Sequence, residues 1–488
     1  MAITRRHFLH SSAAGVAALS IARGIMAQSK NPNGKSELHY LTLTEAAKLI
    51  RARKLSPVEY TEALLKRIDD VEPKVHAFIT VTREEALAAA KTAEKEIMGG
   101  KYRGPLHGIP FGVKDTHYTK GIKTTVATPV LANFVPDFDA TVVTRLKNAG
   151  AILLGKLNLP EFSFGGETPG TNNPWDLKRS PAGSSGGSGA ALAAGELPMA
   201  TGGDTSGSIR GPAVANGVVG MMATYGRVSR RGIAVISWSL DRVGPMTRTV
   251  EDNAIMLNAL AGYDPADETS SDAPVPDYTR ALKRGVKGAR IGIPKANWFE
   301  GYDANVMRGY RDGIEVFKKL GAVVNEVDLP PTMEVIDQAQ RIIRISEAAA
   351  YHEPFLTNNQ EQYGKSNVRR DVEAGSLIPA VHYLRAQRVR KVFIREMAEL
   401  HNSVDIILTP GRPVLPGGQD KSKQNFSRPW NVCGYPALVV PAGFSTEPAG
   451  LPVALQIAGR PFEEELLYAA AYAYEAETKW WEKKKPQV

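Results

Sequence analysis

The sequence has a single cysteine in 488 residues, Cys433, so no intrachain disulfide can form. Its nine histidines show no ligand spacing such as H-E-x-x-H, and no metal-binding cluster emerges. No internal repeat or long low-complexity tract is visible. The net charge is +9, but the positive residues are scattered; the one dense run is Lys483-Lys484-Lys485 beside Trp480 and Trp481. Without a basic stripe or patch, nucleic acid is not an expected partner. The lysine run reads as a frayed or capping C-terminus. Cys433 sits between Asn431-Val432 and Gly434-Tyr435-Pro436, which suggests a turn ahead of a buried strand.

What is present is enough hydrophobic residue, 43% of the chain, to bury a sizeable core in one large domain or several ordinary ones. The first 27 residues read as a targeting segment. Arg5-Arg6 precede Phe8-Leu9, the run Ser12 to Ile21 is short and Ala-rich, and Ile25-Met26-Ala27 ends in a small residue suited to cleavage. The run is too short and too Ser-rich for a membrane span, which takes about 20 apolar residues. Twin-arginine export is expected, placing the mature protein in the periplasm or outside the cell, with no stable membrane insertion after cleavage. Removing residues 1–27 takes away three arginines and no acids, lowering the net charge to +6. A linker over 28–40, a main domain over 41–480 and a tail over 481–488 complete the expected layout.

Capping boxes at Ser56-Pro57-Val58-Glu59 and Thr82-Arg83-Glu84-Glu85 predict two helices before residue 100. Strand and helix then alternate. Strands are expected at Ile109–Val113, Ala151–Leu154, Met199–Gly203, Ile291–Ile293, Ile406–Leu408, Ala437–Val440 and Val453–Ile457. Helices are expected at Thr141–Ala149 and Gly186–Gly195, the second with small residues on every face. Val306, Met307, Tyr310, Ile314 and Phe317 follow helical spacing and read as core. This alternation implies an α/β fold with a largely buried sheet.

Chemistry concentrates between Gly183 and Arg210. Gly183-Ser184-Ser185-Gly186-Gly187-Ser188-Gly189 and Asp204-Thr205-Ser206-Gly207-Ser208-Ile209-Arg210 flank one short Ala-rich run. Glycine lets backbone approach a ligand, serine offers a hydroxyl, and successive N–H groups can form an anion-binding nest. A plain flexible loop is one reading. A phosphate cradle lacks its G-x-x-x-x-G-K-[ST] string. Gly183 to Gly187 formally matches the G-x-S-x-G nucleophile elbow, but that elbow should follow an apolar strand, and here it follows the polar loop Asn173–Arg179.

The composite pattern resembles the amidase signature family of serine hydrolases. The match runs through GSSGGSGAALAAG and GGDTSGSIRGPA, the stretch Leu106–Asp115 upstream and Gly459-Arg460-Pro461-Phe462 near the end, covering roughly residues 40 to 480. The resemblance implies a single large domain with a mixed β-sheet surrounded by helices. It implies a catalytic triad of Lys114, Ser184 and Ser208, with Ser208 as nucleophile, Ser184 bridging through a cis peptide bond at Gly183-Ser184, and Lys114 as base. It implies an oxyanion hole from the backbone N–H groups of Thr205, Ser206, Gly207 and Ser208, with Ser185, Asp204 and Arg210 in support. Most relatives have glycine where this chain has Ser206. A lysine can serve as base if its amine is neutral, which burial favours. Asp115, next in sequence, should point to the opposite face of the strand, leaving Lys114 without a carboxylate in contact.

The expectation is therefore an exported amidase. It would hydrolyse a small-molecule carboxylic amide through an acyl-serine, with no cofactor and no metal. Substrate-shaping residues are sought in Thr125–Asn133, Trp238 and Trp430–Tyr435. A homodimer is left open. An alternative is an amidotransferase A-subunit-like protein acting on glutamine or aminoacyl-tRNA, against which the export signal argues. A binding protein with a dead site is a third reading, opposed by the complete Lys-Ser-Ser set.

Overall fold

The computed structural model describes residues 37–364 and 366–488. The twin-arginine segment and residues 28–36 of the expected linker lie outside them. Eleven strands form one sheet: β1 (Phe78–Val81), β2 (Pro110–Lys114), β3 (Ile152–Leu157), β4 (Met199–Asp204), β5 (Val219–Met222), β6 (Arg242–Thr247), β7 (Arg290–Pro294), β8 (Val323–Val327), β9 (Ile406–Pro410), β10 (Ala437–Thr446) and β11 (Ala449–Gly459). Their order is β1-β3-β2-β4-β6-β5-β10-β11-β9-β7-β8. The sheet is mixed: β3, β2 and β4 run parallel, as do β8, β7 and β9, while β10 and β11 form a long antiparallel hairpin between the two halves. This is one large α/β domain, its sheet surrounded by helices.

The central strands are apolar because both faces are covered. Every residue of β2, β3, β5, β6 and β9 is buried, the pattern of a sheet packed on both sides. All eight residues of the Gly186–Ala193 helix are buried too. A Cβ on Gly187 would come within 2.5 Å of the Ala77 carbonyl oxygen and the Asn158 nitrogen. Small residues on every face are therefore what this helix needs to lie against backbone. In the Ala304–Lys319 helix, Val306, Tyr310, Ile314 and Phe317 are buried as their spacing required, and the Tyr310 hydroxyl donates to Leu408 O across to β9.

One local reading changes, and one is narrowed to its capping alternative. Ser56 caps its helix, accepting from Val58 N at 3.0 Å, but the Thr82 side chain makes no cap; its hydroxyl donates to Leu153 O at 3.0 Å. The neighbouring edge of β3 offers a buried carbonyl that competes with the cap. The C-terminal lysines do not fray. The Lys485 ammonium lies 4.6 Å from the Tyr40 ring centroid and that of Lys483 4.0 Å from Trp480, while Arg67 donates to Val488 O. Residues Leu38–Tyr40, assigned to the linker, form a helical turn in this same contact.

Candidate active site

Strands β2 and β4 run parallel, with Phe111 beside Met199 and Gly112 beside Ala200. Their carboxyl ends deliver Lys114 and Asp204, the last residue of each. Ligands of open α/β sheets bind at such ends. The segment 205–208 turns there into the Arg210–Asn216 helix, and Gly183–Ser185 lies alongside, its cis peptide bond at Gly183-Ser184. The two loops are joined by Ser185 N donating to Ser208 O at 3.1 Å.

Lys114 Nζ donates to Ser184 Oγ at 2.6 Å, and both side chains are buried. No ion pair engages Lys114 among the described residues. Asp115 does turn to the other face, where it pairs with buried Lys156 at 3.1 Å and accepts from Thr125 N and Val126 N. Burial pulls the Lys114 amine from 10.5 down to about 7, against the more distant negative charges of Asp204 and Asp241. Close to half of it is then neutral at pH 7, as a base must be.

Ser208 is half-buried, and its hydroxyl makes no hydrogen bond among the described residues. Hydrogen bonds of a resting site are often loose and tighten with substrate. The structure thus joins Lys114 to Ser184 directly, and brings Ser208 beside them through the backbone.

Asp204 shapes the turn that carries Ser208. Its carboxylate accepts from Gly207 N at 2.7 Å, Ile209 N at 3.0 Å and Asn431 Nδ2 at 2.9 Å. Arg210 reaches it through Nε and Nη2, both at 3.1 Å, and is itself held by Gln456 and Asn431. Burial alone would raise the Asp204 carboxyl; the Arg210 charge, with Asn431 and Ile209 N–H, holds it well below the carboxylate range. Asp204 and Arg210 are a fully buried pair rather than separate surface charges.

This arrangement corrects one part of the expected oxyanion hole. The Gly207 N–H is engaged by Asp204, so it is not free for an oxyanion. The N–H groups of Thr205, Ser206 and Ser208 have no acceptor among the described residues. Gly207 has φ +114, and a Cβ there would fall 2.6 Å from Ser427 Cβ, so glycine is required at that turn. Ser206 takes no positive φ, and its hydroxyl points to Gln340 instead. Ser185 acts on the neighbouring strand. Its hydroxyl bonds the backbone of Gly203, donating to O at 3.3 Å and accepting from N at 3.2 Å. It fixes the end of β4 beside Lys114 rather than touching the lysine.

A cavity of about 320 Å³ opens beside Lys114, walled by Thr205, Asp241, Arg230, Ile236 and Trp238. Its rim is tied together: Arg230 N donates to Asp267 at 2.6 Å and Arg230 Nη2 to Thr269 at 2.7 Å. Trp238 was the one substrate-shaping expectation that lines it. Residues 125–133 and 430–435 do not. Thr125 and Val126 hold Asp115, while Asn431 lies fully buried behind the loop on Arg210 and Asp204. Cys433 ends the short helix Arg428–Cys433, is buried and donates toward Trp430 O at 3.6 Å; burial pushes its thiol up to about 12. It is an inert packing residue. Sequence reasoning missed Asp241, which accepts from the Thr205 hydroxyl at 2.6 Å, and Gln340. No motif marks either.

A serine beside a buried lysine whose charge burial disfavours, with unengaged backbone donors next to it, is the set of groups that acyl transfer without histidine requires. The chain belongs to the amidase signature family. The family model "Amidase" matches residues 59–468. Among relatives of known sequence, the glutamyl-tRNA(Gln) amidotransferase A subunit of Geobacter sp. (strain M21) is 41% identical, covering 92% of this chain and 100% of that one. Among solved structures, native peptide amidase from Stenotrophomonas maltophilia superposes with TM-score 0.81 at 31% identity, over 92% of this chain and 98% of its own. A chain from a vestigial protein complex, solved in connection with the origins of an s-triazine catabolic enzyme, gives TM-score 0.85 at 29% identity, over 92% and 100%.

Proposed function

We propose that this protein cleaves the C–N bond of a carboxylic amide through an acyl intermediate on Ser208. The observation that carries the reading is the 2.6 Å contact between Lys114 and Ser184 in a fully buried setting. Ser208 Oγ attacks the amide carbon, and its proton passes by way of Ser184 to the neutral Lys114. The oxyanion forms against the N–H groups of Thr205, Ser206 and Ser208. Lys114 returns the proton through Ser184 to the departing nitrogen, and the amine leaves. Water then attacks the acyl ester by the reverse relay and frees the acid.

The identity of the sequence relatives favours a narrower second reading. They are amidotransferase A subunits, so the amide would be glutamine and the amine released would be ammonia, passed to a partner protein that acts on aminoacyl-tRNA. That these relatives are named as subunits points to a complex of unlike chains rather than a homodimer. Peptide amidase among the solved structures supports the broader reading. Ammonia release from glutamine, measured beside cleavage of peptide amides and aryl amides, separates the two. Turnover of glutamine alone would establish the amidotransferase-type reading, and peptide-amide turnover without glutamine turnover the amidase one. No cleavage of any amide would overturn both.

Export by the twin-arginine route remains part of the proposal for where this happens. Arg5→Lys with Arg6→Lys should leave full-length protein in the cytoplasm. Unchanged export in a host without that system would refute it. Among the described residues no helix is long and apolar enough to cross a membrane.

A further inference from the structure

Ser206 puts a side chain on the loop that would bind the oxyanion. That side chain has a partner far away in sequence. Gln340 Nε2 donates to Ser206 Oγ at 2.7 Å and lies 3.4 Å from Thr205 O. Gln340 is 2% exposed and belongs to the helix Ile336–Asn359.

The same face of that helix carries other polar contacts. Asp337, three residues before Gln340, accepts from Arg428 Nη1 at 2.7 Å and from Gln424. Glu347, seven residues after it, accepts from the Ser237 hydroxyl, Ser239 N and Tyr383. Spacings of three and seven residues keep all three side chains on one stripe. The stripe closes a ring. Gln340 holds Ser206; Thr205, next in the chain, donates to Asp241; Asp241 accepts from Ser237 N at 3.0 Å; and Ser237 donates to Glu347 on the same helix. The oxyanion loop and the cavity wall are thus hung from one rigid element.

We propose that Gln340 is a positioning residue, holding Ser206 so that the Thr205 and Ser206 N–H groups stay aimed at the developing oxyanion. The proposal rests on the amide-cleaving reading. The hydrogen bonds of Gln340 go to Thr205 and Ser206, not to Ser208. Gln340 ties the Ser206 side chain, and with it the loop backbone, to its own helix through one side-chain hydrogen bond. Its loss should slow the covalent step without weakening ligand binding.

A fluorophosphonate probe tests this without knowledge of the natural substrate. Ser208 Oγ attacks phosphorus, a P–O bond forms, the P–F bond breaks, fluoride leaves, and the hydroxyl proton passes through Ser184 to Lys114. Gln340→Met keeps the volume and removes the donor. It should lower the inactivation rate constant about fivefold, the value for one neutral hydrogen bond worth about 1 kcal/mol, with the probe's KI unchanged. Ser206→Ala removes the acceptor from the half-exposed side, so it leaves core packing intact and should slow labelling to the same degree. The double variant should be no more than about twofold slower than Gln340→Met alone, since that change already removes the bond to Ser206. Additive effects, or a Ser206→Ala protein that labels at the wild-type rate, would overturn the proposal even with Ser208 labelled normally. Failure of the wild-type protein to label at Ser208 would overturn the hydrolase reading itself, and this proposal with it.

Discussion

The Lys114 amine should govern the pH dependence of turnover. Burial brings it from 10.5 to about 7. An unperturbed lysine would be neutral in roughly one molecule in three thousand at pH 7, so burial raises the population of usable base about a thousandfold. From this midpoint about 1% of the enzyme carries a neutral amine at pH 5, and kcat/KM for an unactivated amide should sit about a hundredfold below its plateau there. The rate should climb tenfold per pH unit, bend near pH 7 and level off above it. The sign is fixed by role: deprotonation creates the base, so activity is gained, not lost, on the alkaline side. Asp241 adds to the test, because its negative charge favours the protonated amine. Asp241→Asn keeps an acceptor for Thr205 and removes that charge, so the bend should move to lower pH. Initial rates from pH 5 to 9 at constant ionic strength measure both. A flat profile, or a bend that moves upward in Asp241→Asn, would refute the account of Lys114 as a desolvated base.

Three further outcomes follow from the same contacts. Lys114→Ala should remove the alkaline limb along with most of the rate, and Lys114→Arg should not restore it, because guanidinium stays protonated; pH–rate profiles of both variants check this. Arg210→Met should destabilise the fold by about 3–5 kcal/mol, since it leaves Asp204 buried without its counter-charge, and a wild-type denaturation midpoint would contradict it. Burial, helped by Asp252 and Glu251, pushes the Glu475 carboxyl up to about 8. The folded state therefore prefers it protonated, and its contribution to stability is whole below about pH 4.5 and lost as pH rises toward 8. Thermal melts of Glu475→Gln should show a weaker loss of Tm across that window than the wild type.

Parts of the site were legible because they are local. An apolar run ending in lysine gives β2 and places Lys114 at its carboxyl end, and strand alternation correctly sends Asp115 away from it. The glycine and serine clusters mark two turns on either side of one tightly packed helix. Other parts depend on tertiary contact. Ser206 looked only like a departure from glycine; its meaning comes from Gln340, 134 residues away. Asp241 follows the loop 234–240 with no motif around it, yet it orients Thr205. The Gly207 N–H looked available until Asp204 folded back onto it. Strands β1, β5, β6 and β8 were also missed. Each is four to six residues long, and β6 reads RVGPMT, where glycine and proline hide the strand.

The central claim is that Ser208, and neither serine of the 183–189 cluster, carries the acyl group. Rapid acid quench during turnover of a slowly hydrolysed amide or ester, followed by peptide mass spectrometry, measures it directly. The account predicts the acyl mass on the peptide containing Ser208, lost on chase, and absent from Ser208→Ala. An adduct on Ser184 or Ser185 would contradict it.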